Sequence, residues 1–253
     1  MALKILNGKT MTLPPIHMMI YGAAGSGKTQ FITTSPKLFV IASSREQGIV
    51  NLMGKDVPYV MVDTIQDMEE AVEYVVEESA KGTISTAAID SWTAHLDHVV
   101  RQIEVEVGGQ MRTQDWGTMG RHAVWVMDRL RDAKCHVIYS ALAQQDKDGA
   151  TGIAYGDPML FGKLARRLPG KCEIVGYIEA TKPNKEQPKV HTLHLGPCGP
   201  FKGKCNIDAD IPETIVLQRG HGWDYIEKAL QGIARGGGRM GRPTATRNAN
   251  ARA

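Results

Sequence analysis

Residues 16–29, which read IHMMIYGAAGSGKT, join a short apolar run to a glycine-rich turn. The run lies between Pro15 and Gly22 and has the length of a buried strand. The segment from Lys28 onward stops before Ser35-Pro36, because a proline disfavours helix in the residue that precedes it. This stretch therefore predicts a strand, a tight turn and a short helix in direct succession.

The turn matches the pattern GxxxxGK[ST] of phosphate-binding loops over its whole length. Its glycines allow backbone N–H groups to point at phosphates without obstruction by side chains. The lysine supplies a positive charge at the β- and γ-phosphates, and the last hydroxyl is placed to hold Mg²⁺. We therefore expect a site for ATP or another nucleoside triphosphate, formed by Gly22, Ala23, Ala24, Gly25, Ser26, Gly27, Lys28 and Thr29.

An acidic residue closes the apolar, β-branched segment Ile84–Asp90. In phosphate-loop proteins, a carboxylate at the end of a buried strand orients Mg²⁺ through its water shell. Asp90 can also cap the helix that we expect to begin near Trp92, and the two roles are compatible. The sequence therefore predicts a Mg²⁺ site shared by Thr29 and Asp90.

Strands alternate with helices along the chain, which predicts an α/β fold with a mostly parallel central sheet flanked by helices. Glu173–Ala180 and Lys189–Leu195 predict a C-terminal β-hairpin, and the polar stretch after Leu142 predicts a long mobile loop. Further strands are expected at Leu38–Ala42, Tyr59–Val62 and Cys135–Leu142, and helices at Gln66–Ala80, Trp92–Val107, Trp116–Ala133, Pro158–Leu168 and Trp223–Leu230.

The formal net charge of +3 divides unevenly along the 253 residues. Residues 232–253 contain five arginines and no acidic residue, so the rest of the chain carries −2. The end of the chain is also rich in glycine and too poor in apolar residues to fold alone. We therefore divide the chain into a lead-in at 1–15, one folded domain at 16–231 and a flexible basic tail at 232–253.

Composition excludes several other classes of protein. Hydrophobic residues make up 42% and charged residues 23%, which is typical of globular proteins. No apolar run approaches the roughly 18 residues of a membrane helix, and the first residues lack the apolar core of a signal peptide. The four cysteines form no CxxC pair, so we expect a reducing compartment, the cytoplasm.

Single positions distinguish among phosphate-loop families. Ser91 follows Asp90 where many AAA+ motors have a catalytic glutamate. RecA-like ATPases have the glutamate after the second strand instead, where Glu46 would polarise the attacking water; a solvated loop acid is the alternative. GTPases fit poorly, because Thr181-Lys-Pro-Asn184 ends in Asn where the guanine-reading Asp belongs. Ala23 stands where deviant partitioning ATPases have a lysine. An adenine nucleotide and a RecA-like architecture remain.

The chain resembles the phage-encoded, RecA-like nucleotide-binding proteins that carry an AAA-type ATPase domain, which include the short RecA/Rad-type single-strand annealing recombinases. The matching segments, within residues 16–217, are IHMMIYGAAGSGKT, AAIDSWT, QDWG at Gln114–Gly117 and VIYSALAQQ. The resemblance implies a RecA-like P-loop fold and slow, DNA-stimulated ATP hydrolysis. It also implies binding of single-stranded DNA, a homo-oligomeric ring or filament with ATP between subunits, and a role in phage recombination or replication alongside proteins of those processes.

The resemblance implies roles for further residues. Gln144 and Gln145 take the place of polar sensors of the γ-phosphate, with ordinary loop polarity as the alternative. Lys202 and Lys204 take the place of paired lysines that reach the nucleotide of a neighbouring subunit, with a solvated basic turn as the alternative. Trp116 is a candidate for stacking on a DNA base, or else a core residue. The residues that bind DNA stay unknown at this point.

One further group, His191, His194, Cys198 and Cys205, has the residue types of a zinc site. If Lys189–Leu195 is a strand, His191 and His194 point to opposite faces, and the spacing matches no common zinc finger. We therefore expect ordinary hairpin residues rather than a zinc site made of these four.

Two functions stay open. In the first, the chain is a RecA-like ATPase that couples ATP to annealing or handling of single-stranded DNA, and its arginine tail adds phosphate contacts. In the second, it is an ATP-dependent switch or assembly protein that recruits a replication or packaging partner without handling DNA, as the near-neutral body favours. A small-molecule kinase is a third candidate, against which the lack of an arginine-rich lid counts.

Overall fold

A mixed β-sheet forms the centre of the molecule. The computed structural model describes residues 14–44, 47–149, 151–182, 188–207, 210–218 and 220–234, and within them the sheet has ten strands. The strands are β1 (His17–Gly22), β2 (Leu38–Ala42), β3 (Tyr59–Met61), β4 (Thr86–Asp90), β5 (His136–Lys147), β6 (Ala154–Pro158), β7 (Ile174–Thr181), β8 (Val190–His194), β9 (Lys204–Cys205) and β10 (Thr214–Leu217). Neighbours from β7 to β3 run parallel, which confirms the predicted fold class.

The strand that precedes the phosphate-binding loop, β1, and the strand that ends in Asp90, β4, lie on either side of β5. The order is β10-β8-β7-β1-β5-β4-β2-β3, with β6 paired to β5 and β9 to β7. Gly22 of β1 pairs with Leu142 of β5, and Ile89 of β4 pairs with Tyr139 of the same strand. Because parallel strands end at one edge of the sheet, the turn after β1 and Asp90 at the end of β4 lie close together.

Helices cover both faces of the sheet, which explains the uninterrupted apolar run of β1. Met19 and Tyr21 belong to the core on one face, and Met18 and Ile20 to the core on the other. The first core includes side chains of α2 (Ile65–Ala80), α3 (Trp92–Val107), α4 (Thr113–Leu130) and α5 (Leu164–Gly170), and the second includes side chains of α1 (Lys28–Ile32) and α6 (Trp223–Ala234). Among the helices in the described ranges, none is long and apolar enough to cross a membrane.

The surface helices predicted from apolar periodicity are confirmed. α2 begins after a capping box, in which the side chains of Thr64 and Asp67 each accept from the backbone N–H of the other residue. Val72 and Val75 lie on its buried face, as their spacing predicts. α3 has the predicted bounds, and α4 begins at Thr113, before the predicted start.

The stretch after Leu142 is a β-hairpin, so the prediction of a loop there is wrong. β5 continues to Lys147 and pairs antiparallel with β6, with Gln145 opposite Gly156. This end of β5 is exposed beyond the parallel sheet, so it lacks the apolar run by which buried strands are recognised. The hairpin at 143–158 is named the arm below.

Other boundaries also differ from the predictions. α5 occupies only the end of the segment predicted as helical, because Pro158 belongs to β6 and Gly162 has a positive φ of 51°. α6 continues to Ala234, past the domain boundary predicted at residue 231. β7 and β8 form the predicted C-terminal hairpin. Most of the lead-in (1–13) and the tail from residue 235 onward lie outside the described residues.

Candidate nucleotide site

The turn after β1 has backbone geometry that requires glycine. Gly25 and Gly27 have φ values of 73° and 101°, a region that L side chains rarely adopt. A Cβ added to Gly22 would overlap the backbone carbonyl oxygen of Ile178 in β7. The three glycines of the motif are therefore explained by two left-handed positions and one close approach between strands.

Lys28 is the first residue of α1, and its side chain folds back onto the loop. Its Nζ donates to the carbonyl oxygens of Gly22 and Ala23, each at 3.0 Å. The residue is buried, so these contacts hold a positive charge in a region that is shielded from water. The ammonium group is therefore already positioned where a phosphate chain would lie against the loop.

Asp90 is buried at the end of β4, and both of its carboxylate oxygens accept hydrogen bonds. Thr29 Oγ1 donates to Oδ2 at 2.6 Å, and Ser140 Oγ, on β5, donates to Oδ1. The structure thus brings together the two residues predicted to share a metal ion. The peptide bond from Asp90 to Ser91 is cis, and Ser91 rather than Asp90 caps α3, its side chain accepting from the Ala94 N–H.

Ser140 is a site residue that no motif reveals. It is fully buried in β5, where an apolar side chain is the norm in a parallel sheet. The hydrogen bond to a carboxylate offsets the cost of burying its hydroxyl. A single polar residue inside the apolar run VIYSALA is the signal by which the sequence could have identified it.

A cavity of about 690 Å³ opens between the loop, Asp90 and α3. Its volume lies in the range of small-molecule sites. Thr93, Asp97 and Arg101 line it from α3, and Asn51 lines it from a 3-10 helix at Gln47–Leu52. Burial raises the pKa of the Asp97 carboxyl, although the neighbouring His98 lowers it. The cavity therefore presents a lysine, an arginine and two acidic residues to a ligand.

His191 of β8 contacts the loop directly. Its Nδ1 lies 2.7 Å from the carbonyl oxygen of Ser26, and a Cβ on Gly27 would meet its ring. His194 lies on the opposite face of the strand, where its Nε2 is 3.0 Å from Glu179. The two histidines are therefore separated as expected, and His191 belongs to the nucleotide cavity, which it lines.

Three other predicted site residues are placed less directly. Glu46 lies outside the described residues, although Gly48 and Asn51 shortly after it line the cavity. Gln144 and Gln145 are exposed residues of the arm, in a strand rather than at the start of a loop. The cavity lining reaches β5 at Leu142 instead.

Lys202 and Lys204 line a separate cavity of about 360 Å³. The backbone of Lys202 is fixed to β1, because Tyr21 Oη donates to its carbonyl oxygen and accepts from its N–H, both at 2.8 Å. Trp116 is 41% exposed and packs against Phe161 with ring centroids 5.4 Å apart and the planes tilted by 52°, so it is no core residue. These side chains therefore face surfaces other than the nucleotide cavity of their own chain.

A protein family and several solved structures are similar to this chain. A family model described as an AAA domain matches residues 14–206. A search of curated proteins finds no match. Among solved structures, the chain is similar to the RadB recombinase, at 14% identity and a TM-score of 0.43, over 72% of this chain and 80% of that one. It is also similar to an ATPase from the type III secretion system of pathogenic bacteria, at 12% identity and a TM-score of 0.46, over 65% of this chain and 52% of that one.

Proposed function

The chain belongs to the family of AAA domains, and from that premise we propose that it is a RecA-like ATPase acting on single-stranded DNA in phage recombination or replication. It would anneal or handle strands in the cytoplasm of a bacterial host, as a homo-oligomeric ring or filament. Family membership supports nucleotide hydrolysis in general. The observation that carries the proposal is the contact of Thr29 with Asp90 beside the loop that holds Lys28.

The residues at this contact fit a magnesium ion. Thr29 Oγ1 and the Asp90 carboxylate are hard oxygen donors, which Mg²⁺ prefers. They would hold the ion, and when bound it would neutralise charge on the phosphate oxygens. Ser140 orients the carboxylate by its donated hydrogen bond.

The chain contributes charge and position to phosphoryl transfer rather than covalent chemistry. Lys28 would move from the loop carbonyls to the β- and γ-phosphates, and the N–H groups of the loop would hold the phosphate chain. A carboxylate that orients and polarises the attacking water would complete the site. Glu46 is the first candidate, by its place after β2, and Asp97 is the second, because it lines the cavity and its raised pKa favours proton acceptance.

Rates of ATP turnover test the site. Lys28→Ala should abolish turnover, because the charge at the phosphates is lost. Either Glu46→Gln or Asp97→Asn should reduce turnover by at least about 100-fold while the variant still binds a non-hydrolysable ATP analogue. The variant that does so identifies the base. Turnover in Lys28→Ala at the rate of the unaltered chain would refute the nucleotide site.

The position of the arm and the charge of the tail support the DNA part of the proposal. The arm leaves the sheet at the edge where the nucleotide cavity opens. It contains one lysine against three aspartates, so it contributes by its position and not by its charge. The five arginines of residues 235–253 add sequence-independent contacts to phosphates. Truncation after Ala234, where α6 ends, separates the two contributions.

Binding of a fluorescent single-stranded oligonucleotide should be measured by anisotropy at several salt concentrations. The logarithm of the association constant falls linearly with the logarithm of the salt concentration, by about 0.7 per neutralised phosphate. Loss of the five arginines should therefore make this negative slope shallower by up to about 3 to 4. The truncated chain should still bind DNA and show DNA-stimulated turnover. If it does neither, the body of the protein handles no DNA.

An acidic surface favours a second function. Glu69, Glu70, Glu73 and Glu77 of α2 surround a hollow that Trp125 also lines. Such a surface repels DNA and complements a basic protein. In this alternative, the chain is an ATP-dependent switch or assembly protein that recruits a replication or packaging partner. DNA affinity that disappears with the tail, together with turnover unaffected by DNA, would favour it.

A further inference from the structure

Three side chains of different chemistry converge beside the C-terminal hairpin. Glu179 of β7, His194 of β8 and Cys198 of the following turn each offer one ligand atom, and among the described residues these atoms lie within 4.8 Å of one another. The His194 Nε2 and Glu179 Oε1 atoms are 3.0 Å apart. All three residues are half-buried, so a small ion can reach them from solvent.

Strand register and one tight turn bring these side chains to the same face of the sheet. Tyr177 pairs with His194 in the antiparallel β7–β8 ladder, and Glu179 lies two positions along β7 on the same face. Cys198 reaches that face through a turn, in which Cys198 and Phe201 exchange backbone hydrogen bonds of 2.9 and 3.0 Å. The pairing register of β7 with β8 and the turn at Cys198 therefore place the three side chains on one face of the sheet.

Aromatic stacking orients the histidine of the cluster. The Phe201 ring stacks on Tyr177 with centroids 3.9 Å apart and 8° between the planes. The Tyr177 ring also stacks against the ring of His194, at 6.2 Å. The imidazole of His194 is thus positioned by a packed neighbour, as a preorganised metal site requires of its ligands.

We propose that Glu179, His194 and Cys198 bind a zinc-class divalent cation. Thiolate, imidazole and carboxylate are ligands that Zn²⁺ accepts together, whereas Mg²⁺ takes oxygen ligands. Three protein ligands leave the fourth tetrahedral position to a water molecule. Binding releases the thiol proton of Cys198 to solvent, because the thiolate is the form that coordinates the metal.

This cluster shares two residues with the histidine–cysteine group of the sequence, and the fold excludes the other two. His191 contacts Ser26 of the phosphate loop from the opposite face of β8. Cys205 lies in β9 opposite Ile174 and packs against the other core. Glu179, which no spacing rule connects to the cysteine, takes their place. The site is therefore separate from the nucleotide site and does not rest on the proposed function.

Cobalt substitution of the full chain tests the proposal. The reduced, chelator-treated protein is titrated with Co²⁺, whose bond to a thiolate gives a charge-transfer absorption in the near ultraviolet. One equivalent should produce this absorption, and Zn²⁺ should abolish it by displacement. Cys198→Ser should remove it and weaken Zn²⁺ binding, measured against a chromophoric chelator, by more than about 100-fold, since loss of even an outer hydrogen-bonding partner costs about 10- to 100-fold.

Cys205→Ser is the matched control, because Cys205 is also half-buried but lies outside the cluster. It should keep both the absorption and the Zn²⁺ affinity. Circular dichroism checks the fold of each variant. If Cys198→Ser does not fold, Glu179→Gln and His194→Asn serve as the test, and each should lower the affinity for Zn²⁺ by at least about 10-fold. The proposal is overturned if folded Cys198→Ser keeps the cobalt charge-transfer absorption, or if the unaltered chain lacks it.

Discussion

Mild acid should destabilise the chain through a buried pair of histidines between α3 and α4. His95 is 1% exposed and His122 is 7% exposed, and their Nε2 atoms lie 2.9 Å apart. Burial lowers the pKa of His95 to about 3, with a further contribution from His122, and burial lowers the pKa of His122 to about 4. Both rings are therefore neutral in the folded chain at pH 7.

The loss of stability follows from proton uptake by the unfolded chain. There each ring has a pKa of about 6.5, so the unfolded state binds more protons as the pH falls below that value. Stability is present above about pH 6.5 and is lost as the pH falls toward the folded pKa values. At pH 5.5 each ring accounts for about 1.4 kcal/mol, and the pair for about 3 kcal/mol. Burial also lowers the pKa of His17 to about 3, so His17 adds a similar loss.

Urea unfolding at pH 7.5 and pH 5.5 measures this loss. A double variant, His95→Gln with His122→Gln, cannot take up the two protons, so its loss between the two pH values should be smaller by about 3 kcal/mol. His221→Gln is the control, because the side chain of His221 is 59% exposed, and it should behave like the unaltered chain. An equal loss in the double variant and the unaltered chain would refute the linkage to this pair.

Other expected outcomes concern the nucleotide site. Ser140→Ala removes a donor to the buried Asp90 carboxylate and should lower the free energy of unfolding by about 1.5 to 3 kcal/mol in a urea titration. Gly22→Ala should abolish binding of an ATP analogue in calorimetry, because the new Cβ meets the backbone of Ile178, whereas Gly149→Ala, with open space around it, should bind normally. The rise in melting temperature caused by ATP should depend on Mg²⁺, disappear with a chelator and be much reduced in Asp90→Asn; an unchanged rise in that variant would contradict the metal role.

The parallel sheet could be predicted because strands that are buried on both faces have continuous apolar sequences. The apolar runs of β1, β2 and β4 are short, rich in β-branched residues or methionine and bounded by turns. The arm could not be predicted in this way. Its exposed half of β5 has no periodic pattern, and its pairing with β6 depends on contacts that local propensity does not encode.

Some residues of the candidate site can likewise be predicted from local sequence, whereas others depend on the pairing of distant strands. Thr29 and Asp90 were identifiable because the motif and the strand end fix them along the chain. Ser140 and His191 enter the site through the register of β5 and β8 with distant strands, which sequence spacing alone does not contain. The proximity of Glu179 to Cys198 likewise depends on a turn that follows a separate strand.

β5 is a single strand whose first half is clamped between β1 and β4 and whose second half projects as the arm. Ser140, which holds the Asp90 carboxylate, lies in the clamped half, and Gln145 lies about 17 Å farther along, at about 3.3 Å per residue. An extended backbone is near its full length and cannot absorb a pull by stretching. A displacement of the arm along the direction of β5 would therefore also displace Ser140, the donor to the Asp90 carboxylate, unless the strand bent between the two.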